Sequence, residues 1–515
     1  MTTLLKDDGA GFSKDALKKA VTDETINATR SVELNEMAQQ VAEQFAAGSI
    51  SPNIIAGIVR LMEFLGIASV GLIAYFMADL HGSTLQYWYI GAAFVAAFLY
   101  IGIQQGLDGY HPHALRGYLV QMAKSSAALG VSFTLIFLAS MIFGLQGEFS
   151  TTWLSSAFAG AIGFVLLARL TTVHSVRKLS AAGRLERRAV IVGGGQMAAD
   201  LINSLEAQEN SDIRICGIFD DRDGDRSPPV VAGYPKLGTV QELVEFARKA
   251  RISMLIVALP LSAENRVLQM LKHLWVLPVD IRLSAHADKL RFRPRTMSYE
   301  GSVPMLDVFE KPIADWDSVL KRAFDLFFAS IAIVVLSPLM IAAAIAVKLD
   351  SEGPVFFKQK RHGFNNEEIN VFKFRSLHHK QADKECKTAV TKGDSRVTRV
   401  GRIIRKTSID ELPQLFNVLM GSLSLVGPRP HVVNAQTDDK LWSDVVESYI
   451  ARHKVKPGVT GWAQINGWRG EVDSEEKLRE RTNHDLYYIE NWSVLFDLYI
   501  LAITPFKILN TENAY

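Results

Sequence analysis

Four apolar segments, each near the length of a membrane-spanning helix, constrain the fold of this 515-residue chain more than any other feature. A helix crosses the bilayer core with about 20 predominantly apolar residues. The four segments cover residues 61–78, 85–104, 125–145 and 153–173. Such a succession is not expected of helices buried in a soluble protein. The sequence therefore predicts a multi-domain membrane protein with a four-helix transmembrane bundle over residues 51–180.

The distribution of Lys and Arg predicts the side of the membrane on which this bundle begins and ends. Basic residues occur in the polar arm, residues 1–50, and again after the fourth segment, in residues 177–188. The loops predicted at residues 79–84 and 146–152 contain no Lys or Arg. Because positively charged loops stay in the cytoplasm, both ends of the bundle are expected there. Residues 1–50 are expected to be a mobile cytoplasmic arm without a cleavable signal peptide.

A glycine-rich turn indicates a second kind of domain in the middle of the chain. Gly193, Gly195 and Ala198 form a G-x-G-x-x-A turn between a predicted strand and a predicted helix. Asp220 ends the next predicted strand, where Rossmann-like domains place an acid that binds ribose. Strands and helices alternate from there, so residues 181–310 are predicted to form a Rossmann-like α/β domain with a parallel sheet.

Two interpretations of this turn stay open. It could bind NAD or another nucleotide, or its glycines could serve only a tight turn and close helix packing. No Tyr in the chain is followed four residues later by Lys, so the usual catalytic pair of dehydrogenases and epimerases is missing. This absence favours the structural interpretation and argues against NAD as a working cofactor.

A fifth apolar segment, residues 319–348, contains a Ser337-Pro338 step. Proline removes a backbone donor and is expected to break or kink the helix. Basic residues flank both ends, including Lys321 and Lys348, which predicts that both ends face the cytoplasm. A re-entrant helix, which enters and leaves by the same face, satisfies both observations. The alternative is a fifth spanning helix.

An adjacent pair of acids, Asp410 and Glu411, lies in a strongly basic region. The basic residues are Arg361, Lys373, Arg375, Arg396, Arg399, Arg402, Arg405, Lys406 and Arg429. Ser408 and Glu411 fit a capping box, so the pair could simply begin a helix. The cations suit phosphate oxygens, however, and a carboxylate among them could attack phosphorus while its neighbour binds Mg²⁺. A basic face that contacts anionic lipid is compatible with either interpretation.

Charge and cysteine content exclude two other classes. The net charge is only +2, which argues against a nucleic-acid-binding protein. The two cysteines, Cys216 and Cys386, form neither a disulfide framework nor a metal-binding motif. Disulfides are rare in cytoplasmic proteins, so this cysteine content is as expected for cytoplasmic domains.

Three sequence stretches together resemble the catalytic domain of the bacterial polyprenyl-phosphate hexose-1-phosphate transferases, the large monotopic phosphoglycosyl transferases. They are KQKRHGFNNEEINVFKFRS at residues 358–376, TSIDELPQLFNVLMGSLSLVGPRP at 407–430 and KPGVTGWAQING at 456–467. The resemblance implies an α-rich catalytic domain over residues 317–515 that includes a re-entrant helix at 319–348. The tail at 513–515 is similar to that of glucose-1-phosphate transferases of exopolysaccharide assembly.

The resemblance assigns roles to the acids and to some of the cations. Asp410 falls on the position of the nucleophile that attacks the β-phosphate of a UDP-sugar, and Glu411 on the position associated with Mg²⁺. The residues expected to bind substrate phosphates are Arg361, Lys373, Arg375 and Arg429. Two departures from the family are visible, and either could alter substrate fit. Asn365 and Asn366 stand where a glycine pair is frequent, and Leu377-His378-His379 follows the Lys-Phe-Arg-Ser motif where a methionine is usual.

The implied reaction moves a hexose 1-phosphate, with glucose favoured, from a UDP-sugar to undecaprenyl phosphate through an aspartyl intermediate, and releases UMP. It would start exopolysaccharide or capsule synthesis at the cytoplasmic face of the bacterial inner membrane. A homodimer is compatible with the resemblance. Two alternatives remain at this point: an NAD-dependent nucleotide-sugar oxidoreductase or epimerase that uses the middle domain, and a non-catalytic membrane scaffold of a polysaccharide complex.

Overall fold

The computed structural model divides into two compact units. One contains Ala47–Arg187 and Asp212–Arg214, and the other Met1–Ala46, Arg188–Ser211 and Ile215–Tyr515. The structure describes residues 34–45, 50–77, 87–110, 114, 117–144, 150–181, 183–208, 213–222, 224, 227–259, 264–284, 297–300, 303–379, 394–431, 436–437, 440–442, 446–468, 470, 472 and 474–509. The predictions for residues 1–33, the loop at 79–84, most of the loop at 146–152, Cys386 and the tail at 513–515 lie outside these ranges.

The described part of the chain begins with a run of helices, and strands and helices alternate in the middle domain. The helices are α1 Glu36–Gln44, α2 Pro52–Met77, α3 Tyr87–Gly106, α4 Leu119–Ile142, α5 Thr151–Ala181, α6 Gln196–Glu206, α7 Val240–Ala250, α8 Glu264–Leu274, α9 Asp315–Asp350, α10 Arg399–Lys406, α11 Gln414–Met420, α12 Trp462–Ile465, α13 Glu475–Glu490 and α14 Val494–Leu509. The strands are β1 Arg187–Val192, β2 Ile213–Phe219, β3 Val230–Val231, β4 Tyr234–Gly238, β5 Met254–Val257, β6 Asp280–Ser284, β7 Met297–Glu300, β8 Val303–Phe309, β9 Phe356–His362, β10 Glu368–Phe374, β11 Ser424–Val426, β12 Gln436–Thr437, β13 Lys440–Leu441 and β14 Gly458–Thr460.

Part of the arm that the sequence predicted to be mobile forms helix α1. Asn35 caps this helix, because its side-chain oxygen accepts from the backbone nitrogen of Ala38 at 2.8 Å. The Asn35 amide also donates to the carbonyl of Leu237 in β4 at 2.6 Å. Ala38 and Ala42 are buried in the hydrophobic core of the middle domain. The mobile-arm prediction is therefore wrong for residues 34–45, because the apolar face of α1 is buried against the middle domain.

Helices α2 to α5 are apolar and pack against one another. α2 and α4 each contact both α3 and α5. All four are long and apolar enough to cross a membrane, as the sequence predicts for a membrane protein. α2 begins at Pro52, well before the predicted start of the apolar segment at residue 61. Proline is well tolerated in the first turn of a helix, so it suits this position. Small residues allow close approach, since a Cβ on Gly71 would lie 2.7 Å from the Cβ of Ala93.

A buried ion pair joins α2 to α5. Arg169 Nε lies 2.6 Å from Glu63 Oε1, and both side chains are almost completely inaccessible to solvent. The Tyr110 hydroxyl donates to Glu63 Oε2 at 2.7 Å, and Arg169 also donates to the carbonyl of Gly109 at 2.9 Å. Charged side chains are costly among apolar helices unless they are paired. This polar cluster therefore specifies how the two helices pack.

The middle domain is built on a mostly parallel sheet. The strand order is β3-β4-β2-β1-β5-β6-β8-β7. Pairs β1–β5, β5–β6 and β2–β4 are parallel, whereas β3 and β8 pair antiparallel with their neighbours β4 and β6. β5 and the last four residues of β1 are apolar and buried, as expected when both faces of a sheet are covered. The predicted Rossmann-like domain is thus confirmed.

Helix α9 runs from Asp315 to Asp350 with Pro338 inside it, so the helix does not end at the Ser337-Pro338 step, and a kink there stays a prediction. The backbone reason is local. Pro338 has no N–H for the carbonyl of Val334, four residues earlier, and the Ser337 hydroxyl donates to this same carbonyl at 2.8 Å. The serine therefore satisfies the acceptor that the proline leaves free, and the helix does not need to end.

The C-terminal domain, residues 317–515, holds both ends of α9. Near its start, Lys321 Nζ donates to Asp497 Oδ2 at 2.6 Å and to the carbonyl of Val426 at 3.0 Å. Near its end, Arg375 donates to the carbonyl of Val347 at 3.1 Å, and Asp350 accepts from the Val400 backbone nitrogen at 2.9 Å. Between these anchors many apolar side chains are exposed, including Val334 at 72% and Val335 at 68%.

Replacing Asp497 by Ala should destabilise the C-terminal domain. The buried Asp497 carboxylate accepts hydrogen bonds from Lys321, Tyr488 and Trp492, and its loss leaves the Lys321 ammonium buried without its closest anion. We expect the free energy of unfolding to fall by about 3–5 kcal/mol, measured by denaturant unfolding in detergent. Glu490→Ala, at an exposed site on α13, is the matched control and should change it by less than about 0.5 kcal/mol. Equal losses in both variants would contradict this role for Asp497.

Candidate active site

The acidic pair lies in a short 3₁₀ turn, Ile409–Glu411, between α10 and α11. Ser408 precedes the turn with a φ of 58°, a left-handed conformation that is uncommon for a residue other than glycine. Within the described part of the chain, the Ser408 side chain makes no capping hydrogen bond to this turn. The capping-box alternative therefore does not explain the two acids.

Two cations hold Glu411. Lys373 Nζ, on β10, donates to Glu411 Oε1 at 2.9 Å. The Arg429 guanidinium donates to both carboxylate oxygens, at 2.5 Å to Oε1 and 3.2 Å to Oε2. Burial alone would raise the pKa of Glu411, but the charges of Arg429 and Lys373 outweigh it and keep this pKa well below its usual range. Glu411 is thus ionised and held in one orientation.

Asp410 has the opposite electrostatic character. Its side chain is 9% exposed. Burial raises the pKa of Asp410 to about 6, with a further increase from the charge of Glu411 and a partial decrease from that of Lys373. A carboxylate whose pKa lies about one unit below neutral pH is still largely ionised at that pH, and it is more basic than an exposed aspartate. Of the two acids, Asp410 is therefore better suited to attack an electrophile.

Close backbone packing fixes the segment that carries Arg429. β11 and β14 are parallel neighbours, with Val426 opposite Thr460. A Cβ on Gly458 would lie 2.1 Å from the backbone nitrogen of Gly427, so only glycine fits there. Gly458 also donates from its backbone nitrogen to the carbonyl of Pro428 at 2.8 Å. The KPGVTG stretch thus positions the Pro-Arg-Pro segment.

Of the four cations predicted to bind phosphates, Lys373 and Arg429 lie at the acidic pair. Arg361 contacts the carbonyl of Pro430, and its Nη2 donates to Gln359 Oε1 at 2.7 Å. It therefore lies against the Pro-Arg-Pro segment without a hydrogen bond to either acid among the described residues.

Arg375 occupies a different place from the one the sequence suggests. Its buried guanidinium donates to the carbonyls of Pro354, Val347 and Ser351, at 2.6, 3.1 and 2.6 Å. These acceptors surround the end of α9 and occupy both Nη groups, so that among the described residues only Nε lacks a hydrogen-bond partner. In this structure Arg375 anchors the helix.

The acidic pair fits a Mg²⁺ site completed by substrate. No group of three or more His, Cys, Asp or Glu side chains that could enclose a metal is found in the described ranges. Mg²⁺ is commonly bound by one or two carboxylates together with substrate phosphates and water. Asp410 and Glu411 provide such carboxylates, although Glu411 would share its oxygens with Lys373 and Arg429.

A second layer of charged residues lies behind the Pro-Arg-Pro segment, and the sequence patterns did not single out its cations. Arg452 donates to the carbonyl of Arg429 at 2.6 Å and pairs with Asp485 at 2.7 Å. Burial and the charge of Arg452 keep the pKa of His431 well below its usual range, so this imidazole is neutral. The burial of an arginine on a helix of mostly polar residues leaves no distinctive pattern in the sequence. The spacing of Arg481 and Asp485, four residues apart and so on one face of α13, is the sequence feature that could have indicated this contact layer.

The glycine turn of the middle domain is filled by the chain's own side chains. Gly193 and Gly195 have φ values of 104° and 84°, as a tight turn requires, and Ala198 is buried at the start of α6. Asp220 Oδ2 accepts from the Gly194 backbone nitrogen at 2.6 Å and from Arg222 at 2.8 Å. The acid predicted to bind ribose therefore already pairs with the turn itself.

Asn365 and Asn366 lie at the tip of the β9–β10 hairpin. Both adopt left-handed conformations, with φ values of 53° and 62°, which asparagine tolerates better than most residues. This geometry explains why glycine also suits these positions. Lys373 lies toward the other end of β10, opposite Phe357, so the hairpin separates the two asparagines from the acidic pair.

Comparison with known proteins gives matches over both the membrane and the soluble regions. The bacterial sugar transferase family matches residues 316–511, and a family described as a CoA-binding domain matches residues 105–285. An undecaprenyl-phosphate glucose phosphotransferase of Komagataeibacter xylinus is 37% identical over 391 residues, which are 74% of this chain and 69% of that protein.

Two further relatives extend the comparison. A UDP-glucose:undecaprenyl-phosphate glucose-1-phosphate transferase of Xanthomonas campestris pv. campestris is 32% identical over 468 residues, 89% of this chain and 94% of that protein. An exopolysaccharide production protein of Rhizobium leguminosarum bv. phaseoli is 46% identical over 185 residues, which are 36% of this chain and 92% of that protein. Since the longer matches extend over most of each relative, and the family match over residues 316–511 includes the acidic pair and the Pro-Arg-Pro segment, this chain belongs to the bacterial sugar transferase family.

Proposed function

We propose that this protein transfers glucose 1-phosphate from UDP-glucose to undecaprenyl phosphate and releases UMP, and that this reaction starts exopolysaccharide synthesis. The observation that carries the proposal is the contrast within the acidic pair: Asp410 is buried with a raised pKa, while two cations hold its neighbour Glu411. The names of the relatives from Komagataeibacter, Xanthomonas and Rhizobium supply the donor, the acceptor and the polymer class.

The proposed mechanism has two displacements at one phosphorus atom. In the first, a carboxylate oxygen of Asp410 forms a bond to the β-phosphorus of UDP-glucose. The bond from this phosphorus to the bridging oxygen breaks, and that oxygen leaves with UMP. In the second, an oxygen of undecaprenyl phosphate bonds to the same phosphorus, the phosphorus–aspartate bond breaks, and the Asp410 carboxylate is restored. Splitting one transfer into two is the usual advantage of covalent catalysis.

The other residues orient the substrate and balance its charge. Lys373 and Arg429 lie within hydrogen-bonding distance of Glu411 and can stabilise the negative charge that develops on the phosphoryl oxygens. When bound by the acidic pair, Mg²⁺ would neutralise part of the diphosphate charge. Because phosphoryl transfer depends mainly on positioning and electrostatic stabilisation, the rigid backbone around Arg429 contributes directly.

For α9 we propose a re-entrant arrangement that places the active site at the cytoplasmic face of the bacterial inner membrane. The support is that one domain holds both ends of α9, through Lys321 and Asp350, while the side chains between them are apolar and largely exposed. A straight spanning helix would carry its two ends to opposite sides of the bilayer. The same proposal places both ends of the α2–α5 bundle in the cytoplasm.

Asp410→Asn should abolish transfer. The amide keeps the shape of the side chain but lacks the charged oxygen that attacks phosphorus, so UMP release from UDP-glucose should fall by at least about 10³-fold. The assay contains Mg²⁺ and undecaprenyl phosphate, and a parallel reaction without acceptor tests for radiolabel from [β-³²P]UDP-glucose on the protein. Glu475→Gln, at an exposed site on α13, is the control and should keep full activity. UMP release by Asp410→Asn at the normal rate would exclude Asp410 as the nucleophile.

The pH dependence of the reaction should report the ionisation of Asp410. The nucleophile must be deprotonated, so kcat/KM for UDP-glucose should rise with pH through about 6 and then level off. Lys373→Met removes a charge that lowers the pKa of Asp410, and the rise should move to higher pH by about one unit. Lys360→Met, an exposed site on β9, should leave the profile in place. A shift in the opposite direction would contradict this assignment.

For the middle domain we propose a structural role in place of NAD-dependent catalysis. The support is the contact of Asp220 with both Gly194 and Arg222, which occupies the place where a dinucleotide ribose would bind. A titration of the purified chain with NADH, followed by nicotinamide fluorescence, should show no saturable binding below about 1 mM. Saturable binding that Asp220→Asn abolishes would restore the nucleotide-binding alternative.

A further inference from the structure

Arg481, on α13, is a buried arginine whose hydrogen-bonding groups are mostly unused. Its side chain is only 3% exposed. Within the described residues, its Nε and Nη2 have no hydrogen-bond partner, and Nη1 donates to the carbonyl of Gly470 at 3.5 Å, the outer limit of such a contact. Burying a guanidinium without partners is strongly unfavourable. A buried guanidinium with unused donors therefore requires an anion that accepts its hydrogen bonds and balances its charge.

The neighbouring carboxylate does not provide this compensation. Asp485, one turn along α13, pairs with Arg452 at 2.7 Å. Burial and the nearby charges of Arg429 and Arg452 lower the pKa of Arg481 to about 9, and the charge of Asp485 offsets this only in part. The surroundings of Arg481 are therefore electropositive.

This electropositive region is continuous with the candidate active site. Arg452 donates to the backbone carbonyl of Arg429, whose side chain holds Glu411. Cations outnumber carboxylates in this group: the cations are Lys373, Arg405, Arg429, Arg452 and Arg481, and the carboxylates are those of Asp410, Glu411 and Asp485. Burial keeps the pKa values of His431 and His453 well below their usual range, so these imidazoles add no charge.

We infer that Arg481 binds a phosphoryl group of a substrate and so extends the active site beyond the acidic pair. The free Nε and Nη2 groups lie on one edge of the guanidinium, and this edge donates two parallel hydrogen bonds to two oxygens of one phosphate. The inference rests on the proposed function, in which both substrates carry phosphate: the donor as a nucleotide diphosphate and the acceptor as a polyprenyl phosphate.

The test uses the full-length chain in detergent and three variants. Arg481→Met removes the guanidinium and keeps a long apolar side chain, and Arg481→Lys keeps the positive charge without the two-donor edge. Arg479→Met is the matched control, because Arg479 lies two residues away on α13 with an exposed side chain that pairs with Glu475. The probes are UMP and inorganic phosphate, titrated by calorimetry, and the KM values for UDP-glucose and undecaprenyl phosphate.

We expect Arg481→Met to weaken UMP binding by at least about tenfold, Arg481→Lys by less, and Arg479→Met not at all. The thermal midpoint of Arg481→Met without ligand should equal or exceed that of the wild type, because an uncompensated buried charge is removed. A purely structural arginine predicts the reverse: a lower midpoint with UMP affinity unchanged. If UMP binding is retained but the KM for undecaprenyl phosphate rises, the acceptor supplies the phosphate and the inference stands.

The outcomes separate this inference from the proposed function. Wild-type protein that neither binds UMP nor releases it from UDP-glucose would overturn both. Wild-type activity that Asp410→Asn abolishes, together with unchanged UMP affinity and unchanged KM values in Arg481→Met, would leave the function in place and overturn the role of Arg481. If Arg481→Met does not fold, the same comparison is made between Arg481→Lys and the wild type, and unchanged constants there overturn the inference.

Discussion

The attachment of α9 at both ends to one soluble domain is the constraint on which the active-site geometry depends. Near the start of the helix, Lys321 donates to the carbonyl of Val426, the last residue of β11. Near its end, the helix accepts from Arg375, which lies two residues after Lys373. The two cations that hold Glu411 are therefore each a few residues from a contact with the apolar helix. In the proposed re-entrant arrangement, a helix held in this way fixes the height of the reacting groups relative to the lipid.

The two adjacent acids show how position alone separates the properties of similar side chains. Both are shielded from water, and shielding by itself raises the pKa of each. Arg429 and Lys373 contact Glu411 directly and reverse the effect there, whereas Asp410 keeps a raised pKa. Pairs of carboxylates whose environments move their pKa values apart commonly divide the tasks of a reaction. Here the division suits one carboxylate that attacks and one that holds charge and orientation.

The sequence predicts the parts of this protein that repeat a strong local pattern. Apolar segments of spanning length identified α2 to α5, and the turn at Gly193 and Gly195 identified the Rossmann-like domain. What the sequence does not reveal depends on distant contacts. The role of Arg375 follows from the carbonyls at the end of α9, and the continuity of α9 at Pro338 follows from a single serine hydroxyl. The sequence around Arg481 resembles that of an exposed charged helix. Its burial results from tertiary packing, which local sequence patterns do not predict.

The ion pair between Glu63 and Arg169 sets an order on biogenesis. Its partners are 106 residues apart in the chain, on the first and the last of four consecutive apolar helices. During synthesis the carboxylate emerges long before the guanidinium exists, so α2 cannot reach its final surroundings alone. The contact that compensates the buried Glu63 carboxylate is therefore complete only when α5 is present, and we expect a chain that stops short of Arg169 to keep an unpaired carboxylate on α2.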